Sequence, residues 1–108
     1  MNAHESEKRL LLLDGFLKAN NLSGANVSPL ADDCSFRRYF RVSEHDSSFI
    51  VMDAPPDQEE ITPFIKISKL LNEFGYSAPK VFAADTKNGF LILEDFGNTT
   101  YTKALLAN

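Results

Sequence analysis

Cysteine is almost missing from this chain: Cys34 stands alone among 108 residues. An intramolecular disulfide is therefore impossible, a cysteine-rich zinc site is excluded, and a lone thiol fits a reducing interior compartment. Long hydrophobic runs are missing too. The run Leu10–Leu13 is far short of the roughly 20 apolar residues of a membrane-spanning helix. The polar, acidic start of the chain, with no small-residue cleavage site after the leucines, departs from a secretory leader. The expected address is the cytoplasm. Positive charge is in short supply, the net charge being −4, which disfavours nucleic-acid partners because those are met by basic surfaces. Repeats and low-complexity tracts are absent, so neither a solenoid nor a disordered tail is indicated. What is present is a 44% hydrophobic composition with nine phenylalanines. That suffices for the core of one domain, or of one piece of a domain.

Taken in order, the apolar positions Leu10, Leu13, Phe16 and Leu17, widened by Leu11 and Leu12, predict an amphipathic helix from about His4 to Ala19, with Ser6 as its cap and Asn20-Asn21 as its stop. Asn26 to Ala31 reads as a short extended segment, and Pro29 suggests an edge strand. Beyond a polar loop, Arg37 to Val42 is a strand that puts Tyr39 and Arg41 on one face and Phe40 and Val42 on the other. A turn over residues 44–48 leads into the strand Phe49–Met52, which Pro55-Pro56 ends because proline offers no N–H to a ladder. Thr62-Pro63 predicts a helix start, with Thr62 as cap. Phe64, Ile67, Leu70, Leu71 and Phe74 make its apolar face, and Gly75 terminates it. Pro79 to Ala84 is a strand, Asn88-Gly89 turns the chain, and Phe90–Glu94 is a further strand. Thr99 or Thr100 would cap a last helix from Tyr101 to Ala107.

Two places carry candidate chemistry. The loop Asp32-Asp33-Cys34-Ser35-Phe36, leading into Arg37, lies between two strands, where backbone N–H groups and a hydroxyl can meet phosphate oxygens. It contains no glycine, and its acidic pair repels phosphate unless turned away or met by a metal, so an ordinary solvated turn is the competing reading. The other place is Gly89-Phe90-Leu91-Ile92-Leu93-Glu94-Asp95-Phe96-Gly97. Asp-Phe-Gly is the magnesium triplet of protein kinases, but there it follows a His-Arg-Asp catalytic loop, and here the His-Asp pair is His45-Asp46, in a polar turn. The stretch is better read as a buried strand entering a linker whose backbone groups, rather than its carboxylates, meet a ligand's base.

The residues from Leu30 to Val42, the segment Val51-Met52-Asp53-Ala54-Pro55-Pro56, the pair Pro63-Phe64 and the stretch Gly89–Gly97 with Tyr101 together resemble the N-terminal lobe of the aminoglycoside-phosphotransferase-like, kinase-like family. Within it they are most similar to the N-acetylmuramate/N-acetylglucosamine 1-kinases of bacterial cell-wall recycling. The resemblance implies an α+β fold: a five-stranded antiparallel sheet with an N-terminal helix and one long packed helix. Residues 1–97 would form this nucleotide-binding lobe, and residues 98–108 would begin the connection to a larger lobe that lies outside this sequence.

The implied activity is ATP-dependent phosphorylation of the anomeric hydroxyl of an amino sugar. Asp32, Asp33, Cys34, Ser35, Phe36 and Arg37 would cover the triphosphate. Tyr39, Ile50 and the linker residues Glu94, Asp95 and Phe96 would surround the adenine. No catalytic residue is expected within this chain, because the resemblance places the general base and the magnesium ligands on a His-Gly-Asp loop and downstream residues of the larger lobe. This sequence departs from kinases at the position of the phosphate-binding lysine, which Met52 holds, with the acidic Asp53 next to it. Arg38 or Arg41 is the expected replacement, with Glu59 or Glu60 as its partner, unless phosphate binding rests on the other lobe. Competing readings are an aminoglycoside, choline or homoserine kinase lobe, and a stand-alone nucleotide- or protein-binding module. An apolar surface left bare by the absent lobe is expected to favour self-association.

Overall fold

The computed structural model describes residues 3–30, 37–56, 61–76 and 78–95. The expected loop Asp32–Phe36, Glu59, Glu60, Phe96 and the helix over residues 101–107 lie outside the described residues.

Seven elements follow in order: helix α1 (Ala3–Ala19), strands β1 (Asn26–Pro29), β2 (Arg38–Glu44) and β3 (Ser47–Asp53), helix α2 (Thr62–Glu73), and strands β4 (Val81–Asp85) and β5 (Phe90–Glu94). The strands form one five-stranded sheet in the order β1-β2-β3-β5-β4, with every neighbouring pair antiparallel. The expected α+β lobe is therefore present, with Pro29 on an edge strand, where its missing N–H breaks no interior ladder. The β2–β3 hairpin is tighter than expected, because pairing continues to Glu44↔Ser47 and the chain reverses over His45-Asp46, with His45 at φ 55°.

Strand alternation sorts the core into two clusters. Phe40, Val42, Val51, Phe90 and Ile92 pack against Leu13, Phe16 and Leu17 of α1. Tyr39, Ile50, Met52, Leu91 and Leu93 point the other way and pack with Ile61, Phe64 and Ile65 at the start of α2. The sheet is thus the middle of three layers. No helix among the described residues is long and apolar enough to cross a membrane.

Helix α1 turns the expected Leu13, Phe16 and Leu17 inward but not Leu10 or Leu11, whereas α2 turns a different face inward from the one its apolar pattern predicts. On α1 the buried line is Arg9, Leu13, Phe16 and Leu17, while Leu10 and Leu11 are exposed. An arginine occupies an inward position because it finds a buried partner, described below. Ser6 lies inside α1 rather than at its cap, since the helix begins at Ala3. The stop is as expected: the Asn20 side chain donates to Phe16 O at 2.9 Å and Asn21 takes φ 63°. On α2 Ile61 is the N-cap residue, Thr62 already lies in the helix, and no side chain caps it. Its inward residues are Ile61 and Ser68, with Phe64 and Ile65 half-buried, whereas Ile67 is 59% and Phe74 73% exposed. Ser68 is tolerated inside because its hydroxyl donates to Pro79 O at 2.5 Å. Gly75, at φ 84°, ends the helix in a Schellman pattern, with Tyr76 N–H donating to Leu71 O and Gly75 N–H to Asn72 O.

One glycine fixes the approach of β5 to the end of β3. Gly89 sits at φ 79°, its carbonyl accepts from Ala54 N–H at 2.8 Å, and a Cβ placed on it would lie 1.9 Å from Ala54 O. No other residue fits both the left-handed backbone and that close approach.

Candidate functional site

On the α2 side of the sheet, register builds successive rows across β2, β3 and β5. Tyr39, Met52 and Leu91 oppose one another in the first, and Arg41, Ile50 and Leu93 in the next. Ser48 and Asp95 meet one step further on, where the Ser48 hydroxyl donates to Asp95 Oδ2 at 2.5 Å. Apart from Arg41, the first two rows are an apolar floor, with Tyr39, Ile50, Met52, Leu91 and Leu93 all buried. The last step is polar. Arg41 Nε donates to Asp95 Oδ2 at 2.9 Å, and its Nη2 donates to Oδ1 at 3.3 Å, so one guanidinium grips both carboxylate oxygens. Asp95 directly follows β5, so the charged cluster marks the point where the chain leaves the sheet.

Arg37 stands at the opposite end of this face, beside the start of α2. Its guanidinium carbon lies 5.6 Å from the centre of the Phe64 ring, and its Nη1 donates to Tyr39 Oη at 3.4 Å. Met52 holds the place between them and is wholly enclosed by β2, β5 and the first turn of α2. An uncharged thioether can be enclosed there at no electrostatic cost, as an ammonium could not.

The other face holds a different cluster. Asp53 is fully buried and opposes Arg38 on one side and Phe90 on the other. Arg38 Nη2 donates to its Oδ2 at 2.8 Å. Arg9 of α1 donates from Nε to Oδ1 at 3.0 Å and makes a second contact to the same oxygen through Nη2. The Arg9 guanidinium also lies over the Phe90 ring, 4.4 Å from its centre. A carboxylate without access to water is stable here because two guanidinium groups saturate it.

These placements revise the reading of the arginines. Arg38 is one of the two arginines expected in the lysine's place, but alternation turns it to the α1 face, where Asp53 holds it. Arg41 lies on the face of Met52 but one row further along, and it grips Asp95 in the row beyond. Arg37 is the arginine that shares both that face and the neighbourhood of α2. Tyr39, Ile50, Met52 and Asp95 share one face of the sheet, whereas alternation puts Glu94 on the other face with Phe90 and Ile92; Asp32, Asp33, Cys34, Ser35, Phe36 and Phe96 lie outside the described residues. Glu94 ties β5 to β4: its N–H donates to Lys80 O at 2.9 Å, and its carboxylate accepts from Lys80 N–H at 3.3 Å. Sequence reasoning missed the Arg9–Asp53–Arg38 cluster and the Arg41–Ser48–Asp95 cluster. The signal for the second lay in the period of two, which aligns Ser48 with Ile50 and Met52 and aligns Asp95 with Leu93. Among the described residues no group of three or more His, Cys, Asp or Glu is arranged to hold a metal ion.

Residues 26–107 match the family model described as "Phosphotransferase enzyme family". The chain is 48% identical over 81 residues to a Pseudomonas aeruginosa protein named N-acetylmuramate/N-acetylglucosamine kinase, a match covering 75% of this chain and 24% of that protein. A protein of the same name from Neisseria meningitidis serogroup B is 47% identical over 77 residues, covering 70% of this chain and 22% of the relative. Another of that name, from Caulobacter vibrioides, is 30% identical, covering 94% of this chain and 36% of the relative. The chain thus spans about a quarter to a third of the length of these relatives.

Proposed function

The chain belongs to the phosphotransferase enzyme family, and on that premise we infer that it forms the nucleotide-binding lobe of an ATP-dependent kinase acting on the anomeric hydroxyl of N-acetylmuramate or N-acetylglucosamine. The observation that carries the reading is the pairing of an apolar face, floored by Tyr39, Ile50 and Leu93, with a strand that leaves the sheet at Glu94 and Asp95 beside it. Tyr39, Ile50 and Leu93 are themselves buried, so a base would lie at the edge of this packed face, toward the exiting backbone. The relatives' shared name supplies the sugar class.

The chain's own residues divide the remaining work. Arg37 is the cation for the phosphates: it follows directly on the loop 32–36 that would cover them, and it shares the face of Met52. Ser35 and the backbone of that loop would add hydrogen-bond donors. Magnesium, which neutralises the charge on the transferring phosphoryl group, would be held together with the general base by residues beyond these 108, in a larger lobe. An ATP-consuming enzyme meets its nucleotide in the cytoplasm, and the lone cysteine of these 108 residues fits that reducing compartment.

The reading is tested by measuring ADP release from the full-length protein with magnesium and ATP. Turnover is expected with N-acetylmuramate and with N-acetylglucosamine, giving a phosphate ester at C1 and loss of the sugar's reducing end. Turnover confined to an aminoglycoside, choline or homoserine would replace the sugar assignment.

A further inference from the structure

We propose that Arg41 and Ser48 are positioning residues for nucleotide binding, acting through Asp95 to fix the point at which the chain leaves β5. The proposal rests on the nucleotide-binding reading above and adds to it two residues on strands that the base itself need not touch.

The sheet's own pairing ends too early to do this. The last partnered residue of β5 is Glu94, opposite Phe49, so the following residue is outside the ladder that sets the height of β5 against β3. Asp95 is held instead by its side chain, from two different strands at once: the Arg41 fork of β2 and the Ser48 hydroxyl of β3. A guanidinium that meets both oxygens of a carboxylate fixes its plane as well as its distance, which a single point charge does not. The carboxylate is only 5% exposed, so water competes little for it. The clamp thereby extends the order of the sheet past its final backbone pair, beside Ile50 and Leu93. Recognition of a base edge by backbone groups needs such placement, because misplacement by about half an ångström spoils the hydrogen bonds that discriminate it. The same bonds occupy the carboxylate of the Asp-Phe-Gly triplet with a cation and a hydroxyl, which gives Asp95 a role other than magnesium ligation.

The test measures dissociation constants for adenosine and for magnesium-ATP, KM for the sugar acceptor, and the thermal midpoint in the full-length protein and its variants. Adenosine is the decisive probe because it carries the base and no phosphate. Asp95→Asn and Arg41→Gln are each expected to weaken adenosine and magnesium-ATP alike, by about tenfold or more for the loss of a charge-assisted bond. KM for the sugar should be unchanged, and the double variant should bind no more weakly than the weaker single one, because both remove the same clamp. Arg41→Lys, which keeps the charge and loses the fork, should fall between. Ser48→Ala, expected to weaken adenosine about twofold for one lost hydrogen bond, keeps the test open if a charge change prevents folding. Unaltered adenosine binding in all variants overturns the proposal, whether or not their thermal midpoints fall, since a merely structural contact would lower stability alone. A loss confined to magnesium-ATP also overturns it and returns Asp95 to the metal. Wild-type protein that binds neither ligand removes the kinase reading and this proposal together, whereas wild-type binding with unaffected variants removes the positioning role alone.

Discussion

Asp53 has no exposed surface, yet it carries a full charge into the core and meets two guanidinium groups there. Coulomb attraction and hydrogen bonding offset the desolvation of all three groups only while the set is complete. Replacing Asp53 by Asn preserves the shape and removes the counter-charge, leaving Arg9 enclosed above Phe90. Asp53→Asn is therefore expected to cost about 3 kcal/mol of folding stability, the scale on which breaking a buried ion pair is measured. Arg38→Gln should cost clearly less, because the Arg38 side chain is 23% exposed and water screens its share. Urea unfolding of the two variants beside the wild type checks the order. Equal midpoints for wild type and Asp53→Asn would mean that the cluster contributes nothing net. Little of this was legible in the sequence, because an arginine at one helical position and an aspartate 44 residues later carry no mark of being partners.

The elements were easier to read than their faces. Strand alternation placed Tyr39 and Arg41 opposite Phe40 and Val42 correctly, since a period of two with β-branched and aromatic residues leaves few alternatives. Gly75 and the Asn-Gly pair marked terminations, because their backbone conformations are costly for other residues. Helix faces were harder, because both helices carry more apolar residues than the sheet can cover, and each buried line includes a polar residue, Arg9 or Ser68. Ile67, Leu70, Leu71 and Phe74 of the α2 pattern therefore lie outward, and the inward contact comes from Ile61 at its very start with Phe64 and Ile65 beside it. Truncation of the two isoleucines separates the readings. Ile61→Ala, at a position only 3% exposed, should cost about 2–4 kcal/mol through lost burial and the cavity left behind. Ile67→Ala, at 59% exposed, should stay within about 0.5 kcal/mol of wild type. Denaturant midpoints give both values, and a reversed order would restore the face that the sequence pattern suggests.

At the scale of the molecule, the apolar face, Arg37 and the clamped exit of β5 would supply, on the proposed reading, one half of a phosphotransferase site. Phosphoryl transfer depends on positioning and on metal stabilisation of charge as the γ-phosphoryl group moves, and neither is supplied by a floor for the base. The sequence holds two histidines, His4 and His45, and neither stands in a His-Gly-Asp loop. The chain of 108 residues is therefore expected to bind adenosine and ATP, more weakly than the full-length protein does, without hydrolysing ATP or passing its phosphate to an amino sugar. Calorimetric titration with adenosine, followed by a coupled assay for ADP with magnesium and N-acetylmuramate, measures the two properties separately. Binding without turnover fits a lobe that orients the nucleotide for chemistry performed elsewhere. Turnover by this chain would place a base and metal ligands within it, and Asp32 and Asp33, adjacent in the loop that leads to Arg37, would be the first carboxylates to replace.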